Sequence, residues 1–304
     1  MKRENRILIL ILYSGENELE ESLKVLKNQS YKNWKYKIFS YLSNKKAHDT
    51  LYSYIMAQAS NFDLFMKLDA DMILINEYVL ENIVKYFNAN PNVDQANFAV
   101  HDVMSDQDIM GLLVFTGRAK WNGGDEKLFV DHSPIIPGRR LLVWDKPAPI
   151  AIHSANPHLF QAFHFGAHRA TKAIQRGRSN KKWIQSALQW HLLYRVWVNF
   201  QMTKDIKMGM IMAGAFCVWK GEVDLDIDEY KNQSLERVFE KYKSLDGNTT
   251  HQVLSRVWKR ALYRNHLLYF LLWPKIIEYK TRCRFFTWLN NIFWSHVDVT
   301  DRHS

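Results

Sequence analysis

Cysteine is scarce in this chain of 304 residues, which contains only Cys217 and Cys283. Two thiols are too few for a disulfide framework or for a zinc site built on four cysteines. Long apolar runs are missing as well. The best of them, His266–Trp273, ends at Pro274, well short of the roughly 18 residues that a membrane-spanning helix needs. Disorder is excluded, because 47% of the residues are hydrophobic and 24% are charged, as in an ordinary globular protein.

The amino terminus lacks the marks of a secretory signal. A basic start precedes the apolar run Ile7–Tyr13, but the run is short, no small-residue cleavage site follows, and the next residues are acidic. We therefore predict that Ile7–Tyr13 is a buried first strand and that the protein is cytoplasmic.

Acidic residues are absent between Asp145 and Asp205, in a chain with a net charge of +10. The basic residues of this interval include Arg169, Lys172, Arg176, Arg178, Lys181, Lys182 and Arg195. A long stretch of one sign creates a local positive field. The interval is therefore expected to contact a donor diphosphate, an anionic saccharide or lipid headgroups, and the alternative is a solvated helix face.

Apolar runs of strand length alternate with helical spacing, which is typical of an α/β domain with a mostly parallel sheet. The predicted strands are Arg6–Tyr13, Tyr36–Leu42, Phe62–Leu68, Gln95–Val103, Gly111–Thr116 and Ile150–His153. The predicted helices are Glu18–Leu26, Thr50–Ala59, Glu77–Phe87, a helix capped by Asn156 that ends near Gly177, Lys181–Gln201 and Leu235–Lys243. The interval from 118 to 149 has loop composition. Residues 1–225 are predicted to form the catalytic domain, and residues 226–304 a basic, aromatic helical region.

Asp69 and Asp71 directly follow the third predicted strand. Residues i and i+2 of an extended chain point the same way, so both carboxylates can face one ligand. Converging carboxylates need a cation, and Mn²⁺ or Mg²⁺ favours carboxylate and phosphate oxygens. The pattern therefore predicts a metal–diphosphate site, although an isolated triplet of this kind is also explained by a polar turn.

The triplet has a family context. Four patterns follow one another over the first hundred residues. They are an apolar strand, a Leu-x-x-Ser-Leu helix, a Gln-Ser-Tyr-x-Asn-Trp turn and a strand that ends in Asp-x-Asp. This order and spacing resemble family 2 glycosyltransferases. The matching residues are Leu19, Ser22, Leu23, Gln29, Ser30, Tyr31, Asn33, Trp34, Asp69 and Asp71.

The resemblance implies a GT-A fold, a Rossmann-like sheet with helices on both faces, together with a nucleotide-sugar donor and a divalent metal. The residues that it places at the donor are Tyr13, Ser14, Glu16, Lys67 and Asp69, and the metal ligands are Asp69 and Asp71. The family commonly closes its second strand with an Asp pair that reads the nucleobase. This sequence has Ser40-Tyr41 there, and Asn44 or Asp49 could take over that role.

The third metal ligand and the general base are expected farther along the chain. His153 ends a predicted strand, where it could complete the metal shell. His164 and His168 share a helix face, and core or surface positions are their simpler interpretation. Inverting transferases use a carboxylate to deprotonate the acceptor hydroxyl. The candidates are Asp125, Glu126 and Asp131, of which Asp131 is favoured because it follows an apolar pair.

The carboxyl-terminal residues from 251 to 304 contain nine basic and three acidic side chains, interleaved with many aromatic ones. This combination is typical of helices that lie on an anionic membrane, and packing on the catalytic domain is the alternative. We therefore expect a peripheral association with the inner face of the membrane.

These observations predict a glycosyltransferase that moves a sugar from a nucleotide-sugar donor to a glycan or lipid-linked acceptor in surface polysaccharide synthesis. A sugar-nucleotide pyrophosphorylase is the first alternative, but the loop from Ser14 to Asn17 is acidic and poor in glycine. A basic nucleic-acid-binding protein is the second, but it leaves Asp69 and Asp71 without a role, and no nucleic-acid partner is expected.

Overall fold

The computed structural model describes residues 4–123, 134–143, 149–175, 183–223 and 233–256, together with residues 273, 274, 277 and 281. The strands are β1 (Ile7–Tyr13), β2 (Trp34–Ser40), β3 (Leu64–Asp69), β4 (Met72–Leu74), β5 (Val93–Asp102), β6 (Gln107–Thr116), β7 (Arg139–Val143) and β8 (Ala151–His153). The helices are α1 (Leu19–Lys27), α2 (Asn44–Gln58), α3 (Val79–Ala89), α4 (Leu159–Ile174), α5 (Trp183–Thr203), α6 (Ile206–Lys220) and α7 (Gln233–Tyr242). Asp125, Glu126, Asp131 and most of the basic tail lie outside the described residues.

The sheet is covered on both faces, as predicted. Alternate residues of β1 enter different cores: Ile7, Ile9 and Ile11 pack with α1 and α3, whereas Leu8 and Leu10 pack with α2. This arrangement explains why β1 is continuously apolar instead of alternating with polar residues.

The sheet is mixed, however, so the predicted mostly parallel arrangement is confirmed only in part. Its strand order is β2-β1-β3-β6-β5-β8-β4, and β7 pairs with β5. β1 lies parallel to β2 and β3, but β6 runs antiparallel to β3 and β5, and β4 runs antiparallel to β8. The physical reason is connection length. Only residues 103–106 join β5 to β6, and so short a link allows a hairpin but not a crossover.

The sheet also curls. Only Ala70 and Asp71 separate β3 from β4, yet three strands lie between β3 and β4 in the strand order. Two residues cannot span three strands of a flat sheet, because neighbouring strands lie about 4.8 Å apart. The far edge of the sheet therefore returns to the end of β3, which brings Asp71 next to β8.

Helices α4 to α7 form a helical lobe, whose apolar core is separate from the cores that cover the sheet. α4 and α6 meet backbone to backbone at two glycines. A Cβ on Gly166 would lie 1.8 Å from the Ile211 carbonyl oxygen, and one on Gly214 would lie 1.9 Å from the Phe163 carbonyl oxygen. These contacts fix the position of α4 against α6.

Two boundary predictions for α4 are wrong. His158, not Asn156, is the N-cap, and its ring nitrogen accepts a hydrogen bond from the backbone N–H of Gln161. The described helix ends at Ile174, before the predicted exit at Gly177, and Gln175 takes a left-handed conformation. The interval predicted as a loop contains β7. Among the described residues, no helix is long and apolar enough to cross a lipid bilayer.

Candidate functional site

A cavity of about 510 Å³ lies at the carboxyl ends of β1 and β3, opposite α4 and α5. Open α/β sheets commonly bind ligands at this edge. The predicted site residues that line it are Ser14, Glu16, Lys67, Asp69, Asp71 and His153. Tyr13 does not line the cavity, and its ring packs edge-on against Tyr41 at 5.4 Å. The structure thus brings most of the predicted residues to one wall, which we call the sheet wall.

Asp71, His153 and Asp102 form a chain of three ionisable groups on this wall. The Nδ1 of His153 lies 2.7 Å from a carboxylate oxygen of Asp102, and its Nε2 lies 3.3 Å from a carboxylate oxygen of Asp71. Strand register produces this order, because β8 lies between β5 and β4 and places His153 beside both Asp102 and Met72. The backbone N–H of Ser154 also donates to the Asp71 carbonyl oxygen, which ties the two segments together.

The charges of Asp71, His153 and Asp102 stabilise one another. Burial alone would lower the pKa of His153, but the carboxylates of Asp71 and Asp102 outweigh it and raise that pKa to about 10. Burial would likewise raise the pKa of each carboxyl, yet the imidazolium and its hydrogen bonds hold both below their usual range. Near neutral pH, His153 is therefore protonated between two carboxylates.

Asp102 is a site residue that the sequence analysis missed. It is fully buried, and its second oxygen accepts hydrogen bonds from the backbone and the hydroxyl of Ser105. Both acceptor oxygens are thus engaged, which fixes the orientation of the His153 ring. A carboxylate at the end of an apolar strand was the available signal, but pairing with β8 was needed to connect Asp102 to His153.

Asp69 makes a different contact. Its carboxylate lies 2.8 Å from the Nζ of Lys67, an almost fully buried ammonium group on the same strand. Residues i and i+2 of β3 share a face, which explains how the two charges meet. The lysine therefore balances the carboxylate at the end of β3.

The loop after β1 places two further carboxylates. Glu16 accepts a hydrogen bond from the backbone N–H of Ser14, and burial together with Asp71 and Asp69 raises the pKa of Glu16 to about 7. Glu18 is buried and accepts hydrogen bonds from the backbone N–H of Asn156 and the amide of Gln161. Glu18 thus fastens this loop to the start of α4, whereas Glu16 faces the cavity.

Asn44 and Asp49, the two residues that could take over recognition of the nucleobase, have different positions. Asn44 lines the cavity. Asp49 pairs with Lys45 at 2.6 Å and accepts a hydrogen bond from the indole N–H of Trp121 at 2.8 Å. These contacts give Asp49 a structural role in joining α2 to residue 121.

The fit of a divalent cation rests on Asp71 and His153. In the described residues, no group of three or more His, Cys, Asp or Glu side chains is close enough to hold a metal ion. Asp71 and His153 nevertheless converge, and Asp102 orients the histidine from behind, as outer carboxylates do at many metal sites. Mn²⁺ or Mg²⁺ is often held by one or two protein ligands together with substrate phosphates and water. These two side chains fit such a partial set once the cation displaces the Nε2 proton of His153, because a histidine binds a metal only as the neutral imidazole.

The opposite wall, which we call the helix wall, is basic. One face of α4 lines the cavity with His164, His168, Arg169 and Lys172, and α5 adds His191. Neither helix contains an aspartate or a glutamate. Burial lowers the pKa of His164 to about 3, so that this histidine is neutral near pH 7.

Comparison with known proteins leaves the family open. No protein-family model matches the sequence. No curated protein matches it significantly. Among solved structures, the chain is similar to the mannosyltransferase PcManGT from Pyrobaculum calidifontis in complex with GDP-Man and Mn²⁺, over 94% of this chain and 88% of that one. The sequence identity is 13% and the TM-score is 0.37, a likeness too distant to assign a function or a site.

Proposed function

We propose that this protein is a metal-dependent glycosyltransferase of GT-A type that uses a nucleotide-sugar donor. The observation that carries the proposal is the Asp71–His153–Asp102 chain beside Asp69, at the carboxyl end of the strands and open to a cavity. It joins the Asp-x-Asp signature of the sequence to a histidine from a distant strand. An acidic loop after β1 disfavours a pyrophosphorylase, and a cavity of this size lined by Asp69 and Asp71 suits a small ligand better than a nucleic acid.

Asp71 and His153 are the proposed protein ligands of Mn²⁺ or Mg²⁺, with Asp69 adjacent. Such a cation would neutralise the negative charge that develops on a departing diphosphate. Asp102 keeps the imidazole ring in place through Nδ1, and Lys67 limits the repulsion between Asp69 and an incoming diphosphate. Each of these roles is supported by the contacts of the sheet wall.

The acceptor side of the reaction is proposed from the sequence. Asp131 is the proposed general base of an inverting transfer, with Asp125 and Glu126 as alternatives, and it would take the proton of the acceptor hydroxyl. The proposed acceptor is a glycan or a lipid-linked sugar in surface polysaccharide synthesis. The carboxyl-terminal tail is proposed to associate with an anionic membrane.

The test is a ligand screen followed by one variant pair. Nucleotide-sugars are screened with and without Mn²⁺ by thermal unfolding, in which a ligand at one hundred times its dissociation constant stabilises by about 2.7 kcal/mol. The best donor is then assayed for metal-dependent turnover in Asp71→Asn and in the control Asp106→Asn, an exposed carboxylate. Turnover should be lost only in Asp71→Asn. Normal turnover in that variant, or the absence of any stabilising nucleotide, would refute the proposal.

A further inference from the structure

The helix wall contains an arginine whose hydrogen bonds are only partly used. The Nη1 of Arg169 donates to the side-chain oxygen of Gln189 at 3.0 Å, and the guanidinium stacks on the Phe165 ring at 4.7 Å. Its Nε lies buried with no hydrogen-bond partner among the described residues. A buried N–H of this kind costs free energy until an acceptor reaches it. The guanidinium is therefore held in place with its hydrogen bonds incomplete, and because Nε has no accessible surface a ligand in the cavity would meet the outer edge formed by the η nitrogens.

The surroundings of this edge favour an anion. Asp108 is the acidic residue of the described lining outside the sheet wall, and it lies 3.1 Å from His101. His168 and Lys172 flank Arg169 on the same face of α4. Arginine presents a planar fork that matches a carboxylate or a phosphate through two hydrogen bonds.

The backbone makes this surface rigid. The close approach of Gly166 and Gly214 to the facing helix packs the backbones of α4 and α6 directly against each other beside the cavity. From His164, beside Asp71, to Lys172 the helix rises by about 12 Å. Arg169 is near enough to the sheet wall for its charge to lower the pKa of Asp71 and Asp102, and Lys172 extends the basic face along the cavity from there, toward space that a second substrate could occupy.

We infer that Arg169, with His168 and Lys172, forms a second subsite that binds an anionic group of the acceptor, a sugar carboxylate or a phosphate. The assignment of this anion to the acceptor rests on the proposed function. The subsite would orient the acceptor by a charge remote from its reacting hydroxyl, so that a neutral sugar would bind poorly.

The experiment measures the binding of three probes to the full chain by calorimetry: glucuronate, glucose 1-phosphate and glucose. We expect at least one of the two anions to bind and glucose not to bind. The anion that binds identifies the source as a carboxylate or a phosphate. Equal binding of all three probes, or of none, would overturn the inference.

The variants test the residues. Arg169→Gln should weaken anion binding at least tenfold, because a hydrogen bond to a charged group is lost. Arg169→Lys should recover only part of it, since the fork is missing. The matched control is Arg237→Gln, an exposed arginine on α7 that should bind like the parent. If Arg169→Gln unfolds, Lys172→Gln serves in its place, and unchanged affinity in every folded helix-wall variant would refute the subsite.

A competition arm separates this subsite from the donor site. The anions are titrated again with Mn²⁺ and inorganic pyrophosphate present, which should leave their affinity unchanged. Complete displacement would assign the helix wall to the donor diphosphate and overturn the inference. If Mn²⁺ and pyrophosphate do not bind at all while the acidic sugar still does, the proposed metal–diphosphate site fails and the anion site stands.

Discussion

The two walls of the cavity differ in how their charges are satisfied. On the sheet wall, Asp71, His153 and Asp102 pair with one another, and Lys67 neutralises Asp69. On the helix wall, positive side chains share a face of α4, and neither that helix nor α5 supplies an acidic partner. Charge on the sheet wall therefore contributes to the stability of the ligand-free protein. Arg169 on the helix wall also helps to hold the pKa values of Asp71 and Asp102 low, but α4 itself is held in place by backbone packing.

The largest effect on stability is expected on the sheet wall, from Asp102→Asn. One oxygen of Asp102 accepts from His153 and the other from Ser105, so an amide with a single acceptor oxygen leaves one buried donor unpartnered. Breaking a buried charge pair typically costs about 3–5 kcal/mol. Urea unfolding should show a loss of that size, and Mn²⁺ affinity should fall by about 10–100-fold because the His153 ring loses its orienting partner.

The control for Asp102→Asn is Asp106→Asn, a nearby and exposed carboxylate whose ion pairs are long. Exposed pairs contribute about 0–1 kcal/mol, so this variant should remain close to the parent in stability and in Mn²⁺ affinity. Equal losses of stability in the two variants would show that the buried Asp71–His153–Asp102 contacts do not stabilise the sheet wall.

The sheet wall shows how far sequence reasoning reaches. Asp69 and Asp71 were predicted from the carboxylate pair that follows an apolar strand and from its family resemblance, and His153 was predicted because it ends a strand. The structure places all three on one wall of the cavity. Asp102 ends an apolar segment too, but its role depends on the pairing of β5 with β8, between residues about fifty positions apart. Sheet direction was predicted only in part for a related reason, since helices between the early strands suggested mostly parallel pairing.

The second prediction tests whether packing, not charge, holds the helix wall. In Gly166→Ala the new methyl group would meet the Ile211 carbonyl, a backbone group that cannot rotate aside. Overpacking of a rigid contact costs about 1–3 kcal/mol and occasionally more, and we expect the upper end of that range. The matched control is Gly221→Ala, where nothing lies within 4 Å and only the left-handed backbone opposes the change, at about 1 kcal/mol. An equal loss in both variants, by urea unfolding, would contradict the packing argument.

The helical lobe was harder to predict than the sheet. α6 was missed because ten of its residues, from Gly209 to Val218, are buried without a break, so that no polar face marks a helical period. The absence of acidic residues across α4 and α5 was visible in the sequence. Which side of α4 faces a cavity was not visible, because that depends on where Gly166 meets α6.

The smallest expected effect concerns Glu16, a sheet-wall carboxylate that forms no ion pair with a described residue. Burial, followed by Asp71 and Asp69, raises its pKa to about 7, whereas a carboxyl in the unfolded chain titrates near 4.3. The folded protein therefore binds the Glu16 proton more tightly than the unfolded chain does. The ionisation of Glu16 destabilises the fold progressively as the pH rises from about 4 to about 7, and the cost is constant above that.

Glutamine resembles the protonated glutamate and can still accept a hydrogen bond from the Ser14 N–H. Glu16→Gln should thus raise the free energy of unfolding by about 1–3 kcal/mol at pH 8 and leave it unchanged near pH 4, as measured by urea unfolding at both values. Mn²⁺ bound near Asp71 would offset the repulsion that Glu16 experiences, so Mn²⁺ should stabilise the parent more than Glu16→Gln at pH 8. A gain that is the same at both pH values would mean that the substitution acts through packing, and an equal response of both proteins to Mn²⁺ would place the cation away from Asp71.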